Sequence, residues 1–315
     1  MWGIILREGL IIKLIGGRYT VFDLEKKNTR ICSASGKLRF IKLDKDSPFL
    51  PANNNPLSSK KEAQNIKLSP KVGDYCFYED ETIKEIKPRK NKLLRPDIAN
   101  VDQAILVFSC LEPDFNYSLL DLFLVAIEKE GIDAIIVISK IDLLASFEYE
   151  ILKDNMTYYQ NMGYRIFYIS ALRKENLDDF FSCFTGRISV LAGQSGVGKS
   201  TILNVFIPGL DLETQAISKA LGRGKHTTRA TELYLFNGGM IADTPGFGKI
   251  DLKGIKKADL KDLFQEFSEH QHLCRFRECL HVNEPGCEIK SLVESGGILK
   301  SRYENYLKFF EEINK

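Results

Sequence analysis

"VISKIDLL", residues 137–144, ends an apolar, strand-like run in Lys140-Ile141-Asp142, while "GQSGVGKS" stands well downstream at 193–200. A carboxylate at Asp142 can accept from both N1–H and the exocyclic amine of guanine. Adenine offers no such donor pair and would leave the carboxylate unpaired, a mismatch that binding sites reject strongly. The stem of Lys140 can lie over the base. The next apolar run closes in "ISA", 169–171, where Ser170 leads to an Ala171 amide that can meet the guanine O6.

The downstream octapeptide matches G-x-x-x-x-G-K-[ST], and it follows the strand-like "ISVLA" and precedes the helix-like "STILNVF". Glycines at 193, 196 and 198 let the backbone amides of Gly193, Gln194, Ser195, Gly196, Val197 and Gly198 curl around phosphate oxygens, and a helix N-terminus adds its positive end. Lys199 then reaches the β- and γ-phosphates, the Ser200 hydroxyl ligates Mg²⁺, and Thr201 is expected among the GTP-binding residues. "DTPG", 243–246, ends a further apolar run. Asp243 would hold the Mg²⁺ shell through water, and the Gly246 amide would sense a γ-phosphate. These are the parts of a GTP hydrolase in rotated order, with base readers first, the phosphate cradle second and switches last. A doubly wound sheet binds nucleotide on loops at its strand C-termini. Cutting one connection and joining the old ends therefore keeps every loop in place.

Outward from these motifs, the grammar changes twice. Residues 1–87 show short β-type runs without helical period, which predicts a small barrel of the OB type. Polar 44–70 reads as a long loop between strands, and "KPRKNKLLRP", 87–96, as a basic linker. Beyond 101, apolar strands alternate with amphipathic helices, the pattern of a parallel α/β sheet. After about 252 the chain turns helical and polar. The expected fold is thus multi-domain: an N-terminal OB-fold β-barrel over 1–90, a central α/β P-loop domain with circularly permuted motifs over 91–252, and a C-terminal helical metal-binding domain over 253–315. The last helix, with Leu299, Tyr303, Tyr306, Leu307 and Phe310 at helical spacing, is expected to pack on its own domain.

The net charge is +2 over 315 residues, unevenly spread. Residues 1–96 carry 20 Lys+Arg against 11 Asp+Glu, a net +9, and the remainder is −7. That asymmetry suits a barrel facing a polyanion such as RNA. No run approaches the ~20 apolar residues of a membrane span, so a cytoplasmic protein is expected. Cys32, Cys76, Cys110 and Cys183 sit in apolar surroundings and read as buried small hydrophobes. The remaining three form Cys274-x4-Cys279-x-His281-x5-Cys287. Three thiolates and an imidazole make a closed tetrahedral set for one structural Zn²⁺. His270 and His272 read as ordinary polar residues.

The chain resembles the circularly permuted ribosome-associated GTPases of the RsgA (YjeQ) family. The likeness rests on "PRKNKLLRP", "SKID", "SA", "GQSGVGKS", "GRGKHTTR", "DTPGF" and "CRFRECLHVNEPGC", which span nearly all of it. The resemblance implies GTP hydrolysis stimulated by the small ribosomal subunit, late in that subunit's maturation, with contacts to its rRNA. It departs at Ser139, where the family's guanine motif usually has Asn; the shorter side chain is expected to reach the phosphate loop and base N7 less well. "GRGKHTTR", 222–229, lies where switch I belongs. Thr228, or else Thr227, can coordinate Mg²⁺ only with the γ-phosphate present. Phe247 follows D-x-x-G and cannot orient the attacking water, which leaves His226 as the catalytic candidate beside Lys199 and Thr228. A monomer binding GTP and GDP, with no membrane partner, is expected. The rival readings are an RNA-binding module with a weak nucleotide site, and a P-loop ATPase or kinase.

Overall fold

The computed structural model describes residues 6–39, 41–43, 64–66, 69–93, 96–207, 231–243 and 252–313. They group into two compact units. The first holds the described residues up to Val101 with 186–190 and 231–243; the second holds Asp102–Thr185, 191–207 and 252–313.

The first unit is built on a closed five-stranded barrel. Strands β1 (Arg7–Ile15), β2 (Arg18–Asp23) and β3 (Thr29–Ala34) are followed by a short antiparallel pair, β4 (Ile41–Leu43) and β5 (Gln64–Ile66). Then come β6 (Tyr75–Glu79) and β7 (Thr82–Ile86). The order β1-β2-β3-β7-β6 closes because β1 also pairs with β6, with Arg7 opposite Tyr78. Alternate residues turn inward, so Ile11, Tyr19, Val21, Cys32, Cys76, Tyr78 and Ile83 fill the interior. Cys32 and Cys76 are the buried hydrophobes their sequence setting implied. Strand β5 falls inside the segment read as a loop, because three residues too polar to alternate give no period to detect. The rest of 44–63 lies outside the described residues.

The described residues of the basic stretch, 87–93 and 96, form a bonded corner where a linker was expected. Arg89 grips Asp74 through Nε and Nη2 at 2.6 and 2.7 Å, and Asp74 is fully buried. The Asn91 side chain accepts from Val101 N at 2.9 Å and donates to Val101 O at 2.7 Å. Asn100 accepts from Lys90 N at 2.9 Å and donates to Gly73 O at 2.8 Å. Here β8 (Lys92–Leu93) and β9 (Ile98–Ala99) pair antiparallel. The side chains of Lys87, Arg89 and Asn91 are thus spent on internal bonds.

In the second unit, β10 (Gln103–Ser109), helix α1 (Tyr117–Lys129), β11 (Asp133–Ser139), α2 (Ser146–Asn161), β12 (Arg165–Tyr168) and α3 (Leu177–Ser182) alternate as expected. The strands are parallel, with Ser109 level with Ser139 and Ile138 with Tyr168. Every residue of β10 is buried, the mark of a strand covered on both faces. Strand β13 (Ile188–Ala192) begins in the first unit and leads through the Gly-rich loop to α4 (Lys199–Phe206) in the second. In the first unit, β14 (Glu232–Phe236) and β15 (Gly239–Asp243) form a hairpin; β15 pairs in parallel with Ile188–Val190, and β14 meets β1 at Glu232 and Lys13.

The C-terminal part contributes α5 (Lys257–Leu260), α6 (Gln265–His270), α7 (Glu288–Ser295) and α8 (Lys300–Glu312). Leu260, Phe264, Phe267, Ile289, Tyr306 and Phe309 share one core with Cys279, Cys287 and Val125 of α1. The last helix therefore packs on its own module, as expected, and on helix α1 as well. Among the described residues no helix is long and apolar enough to cross a membrane.

Candidate functional site

The base-reading residues sit at the C-terminal end of parallel strand β11 and just after β12, where an open α/β sheet presents its loops. Lys140 takes a left-handed backbone, φ +61°, to turn out of the strand, and its Nζ donates to the Glu112 carbonyl in the loop after β10. Asp142 Oδ1 accepts from the buried Ser170 hydroxyl at 2.6 Å. The same Ser170 oxygen accepts from Arg173 N at 3.1 Å, which fixes the loop carrying Ala171. One oxygen of Asp142 is thus oriented by the chain, and the pair of motifs read separately, "SKID" and "SA", forms one hydrogen-bonded edge.

Ser139 carries the connection to the phosphate loop. Its side chain is 2% exposed, and Oγ donates to the Val197 carbonyl at 2.6 Å, with the Phe108 carbonyl 3.1 Å away. The Ser139 carbonyl accepts from Cys110 N at 3.1 Å. The expectation of poor reach therefore fails for the phosphate loop. The loop approaches β11 so closely that a serine spans the gap.

Gly193 explains that closeness. Its φ of +141° belongs to the glycine-favoured region, and a Cβ would stand 2.1 Å from the Val107 carbonyl of β10. Any side chain would push the loop off the sheet. Gln194, Ser195, Gly196 and the buried Val197 complete the turn, and Lys199, Ser200 and Thr201 open α4. Lys199 Nζ curls back to donate to the carbonyls of Gly193, at 2.7 Å, and Gln194. Burial pushes its ammonium down to about 8, so an anion placed in this loop would relieve a real desolvation cost. Asp243 is the last residue of β15. His226, Thr227, Thr228, Gly246 and Phe247 lie outside the described residues.

The second cluster forms in the C-terminal module. Donor atoms of Cys274, Cys279, His281 and Cys287 all lie within 4.8 Å of one another. His281 is fully buried with φ +60°, and its Nδ1 stands 3.3 Å from Cys287 Sγ and 3.6 Å from Cys274 Sγ. Burial holds the imidazole neutral, near 4, and pushes the Cys279 thiol up to about 12. Neutral imidazole is the ligating form, while buried thiolates need a cation to exist. The donor set and its spacing fit a four-coordinate soft ion such as Zn²⁺. Glu284 shapes the loop by accepting from the amides of Leu280, Val282 and Asn283 at 2.9–3.0 Å. From α8, the Tyr303 hydroxyl donates to the His281 carbonyl at 2.7 Å, and Tyr306 to that of Leu280. His270 and His272 stay outside the cluster.

A buried charge node that sequence reading missed joins α1 to the C-terminal helices. Arg302 of α8, 1% exposed, donates to both carboxylate oxygens of Glu266 at 2.7 and 3.0 Å and to Asp121 of α1 at 2.7 Å. Asn305 and Tyr159 also donate to Asp121. Burial pushes the Asp121 carboxyl up, and these donors pull it back. The signal was present but ambiguous: Arg302 stands four residues before Tyr306, and Asp121 four before Val125, both on buried stripes.

Comparison with known proteins follows the same lines. A family profile described as RsgA GTPase matches residues 86–253. The small ribosomal subunit biogenesis GTPase RsgA of Onion yellows phytoplasma is 42% identical over 313 residues, covering 98% of each chain. Its namesake in Bacillus velezensis is 42% identical over 314 residues, again 98% of each. The crystal structure of YjeQ from Thermotoga maritima superposes with a TM-score of 0.80 at 33% identity, covering 99% of this chain and 100% of that one. That of YloQ, described as a circularly permuted GTPase, gives 0.75 at 34%, covering 98% and 95%.

Proposed function

The chain belongs to the RsgA GTPase family, and from that premise we propose that it hydrolyses GTP to GDP and phosphate on the small ribosomal subunit, as a late maturation factor. The observation that carries the reading is the 2.6 Å bond from Ser139 to Val197. It joins a base reader and a phosphate loop that are 58 residues apart in the chain, so the two can hold opposite ends of one nucleotide.

In this reading, Asp142 takes the guanine N1–H and amine, with Ser170 presenting the carboxylate. The Ala171 amide takes O6, and the Lys140 stem covers the ring while its ammonium stays on the Glu112 carbonyl. The amides of residues 193–198 wrap the phosphates. Lys199 leaves its two carbonyls for the β- and γ-phosphates, exchanging neutral acceptors for charged ones. Ser200 and Thr228 would hold Mg²⁺, with Asp243 behind it; that ion supplies neutralisation of the charge shared between the phosphates. Gly246 senses the γ-phosphate, and His226 orients the water. Cys274, Cys279, His281 and Cys287 hold a structural zinc ion. The division of labour places RNA contact on the basic barrel of 1–90, turnover on 91–252 and zinc-held anchoring on 253–315. The protein acts in the cytoplasm as a monomer.

The test is GTP turnover with and without isolated small subunits, for the unaltered protein and for His226→Ala. Subunits should raise turnover of the first, and the variant should bind GTP normally yet turn over at least about a hundredfold more slowly. Turnover that ignores subunits in the unaltered protein would leave an RNA-binding module with a weak nucleotide site.

A further inference from the structure

We propose that the loop between Cys274 and Cys279 is a stacking platform for an unpaired RNA base, with the Phe276 ring as its face and Arg275 and Arg277 as its phosphate contacts. The proposal deepens the small-subunit reading above and rests on it for the source of the RNA.

Aromatic rings of this module are otherwise spent on its core: Phe264, Phe267, Tyr306 and Phe309 are at most 1% exposed. Phe276 is 44% exposed, and Leu273 beside the loop is 58% exposed. The ring is nevertheless held. The Arg275 guanidinium lies over it at 5.6 Å from the centroid. Arg275 N donates to the Gly286 carbonyl at 3.0 Å, and Gly286 (φ +68°) packs against the arginine stem, where a Cβ would come within 3.1 Å of Arg275 Cβ. Cys279 N donates to the Phe276 carbonyl at 3.2 Å, and Lys261 Nζ to that of Cys279 at 3.2 Å. A preorganised aromatic surface loses little entropy when a base stacks on it.

The charges around the ring are sorted by direction. Glu284 is spent on three backbone amides, and Asp262 Oδ1 accepts from Gln271 at 2.8 Å. Glu278 is exposed on the same loop and makes no ion pair among the described residues. Arg275 and Arg277 are both exposed, and neither has a carboxylate partner among the described residues. Two guanidiniums without a carboxylate partner, one on each side of a phenylalanine in sequence, match a nucleotide, which offers a flat π-face and a phosphate anion at a short distance from it. An acidic peptide would use the arginines and leave the ring without a counterpart. Paired RNA keeps its base faces stacked, so the occupant is a single-stranded or bulged nucleotide.

Phe276→Trp in a Trp2→Phe background makes the loop its own reporter, because Trp2 is the chain's single tryptophan. Its fluorescence should be quenched by isolated small subunits and by a short unstructured oligoribonucleotide, but not by a poly-glutamate peptide. Phe276→Ala should weaken subunit binding about tenfold, with turnover in the absence of subunits and zinc content both unchanged. Phe276→Tyr should restore binding and Phe276→Leu should not, while Arg277→Ala should lower the salt slope by about one charge. No quenching by either RNA, quenching by the peptide alone, or binding by the leucine variant as tight as by phenylalanine would overturn the platform. If the unaltered protein failed to bind subunits, the small-subunit reading would fall, and the oligoribonucleotide arm would still decide the platform.

Discussion

The nucleotide-reading loops and the Cys/His loop belong to one compact unit, yet they are held in opposite ways. The first set is closed by the chain's own donors: Ser139 to Val197, Ser170 to Asp142, Lys199 to Gly193. The second gathers four donor atoms within 4.8 Å of one another, with the Lys261 ammonium bonded to the Cys279 carbonyl beside them. A cradle for a ligand that comes and goes must persist without it, whereas a loop bound to a resident ion can delegate its closure to that ion. The Arg302 node is a third device, a buried ion triad in which Arg302 and Asp121 are 1% and Glu266 7% exposed, and it fastens helix α8 to helix α1.

The comparison breaks most readily at the zinc ion proposed for the Cys/His loop. Chelation should release the loop around 274–287 and free the Tyr303 and Tyr306 hydroxyls, seen as a loss of near-ultraviolet tyrosine dichroism. Affinity for a non-hydrolysable GTP analogue should stay within about twofold, since no donor in the nucleotide loops depends on the ion. A collapse of nucleotide affinity on chelation would show that the two sites are not held independently. Next in size, Arg302→Met should cost roughly 3–5 kcal/mol in urea unfolding of the whole chain, because Glu266 and Asp121 would face each other buried and uncompensated. Adding Asp121→Asn and Glu266→Gln should recover most of that loss. A loss below about 1 kcal/mol for the single variant would mean that the node is not a fastening at all. Smallest is Ser139→Ala, which strips the donor from a buried carbonyl at Val197. It should weaken GTP and GDP binding about tenfold, leave the preference for guanine over adenine unchanged and leave zinc content untouched. Equal affinity of the variant would place the closure of the two loops elsewhere.

Both segments, "PRKNK" at 88–92 and "CRFREC" at 274–279, carry more basic than acidic residues. In the first, Arg89 turns inward because Asp74 is buried within reach; in the second, Arg275 and Arg277 find no such partner. Nothing in either short stretch distinguishes these outcomes, since the deciding carboxylate comes from another strand.

The amino-acid order alone determined the chemistry that is local. Phosphate cradling, base reading and the Cys3His set each need a few neighbouring residues and a characteristic turn, so "GQSGVGKS", "SKID", "SA" and the Cys/His spacing were legible as they stand, as was their rotated order. Tertiary structure decided how far each side chain must reach and which charges are buried. Whether Ser139 suffices depends on Gly193 seating its loop against Val107, and whether Arg302 is a surface cation or the hub of a buried triad depends on where α1 and α6 place Asp121 and Glu266. Distances of that kind are set by packing between remote segments, and a hydrogen bond or ion pair forms only when both partners arrive.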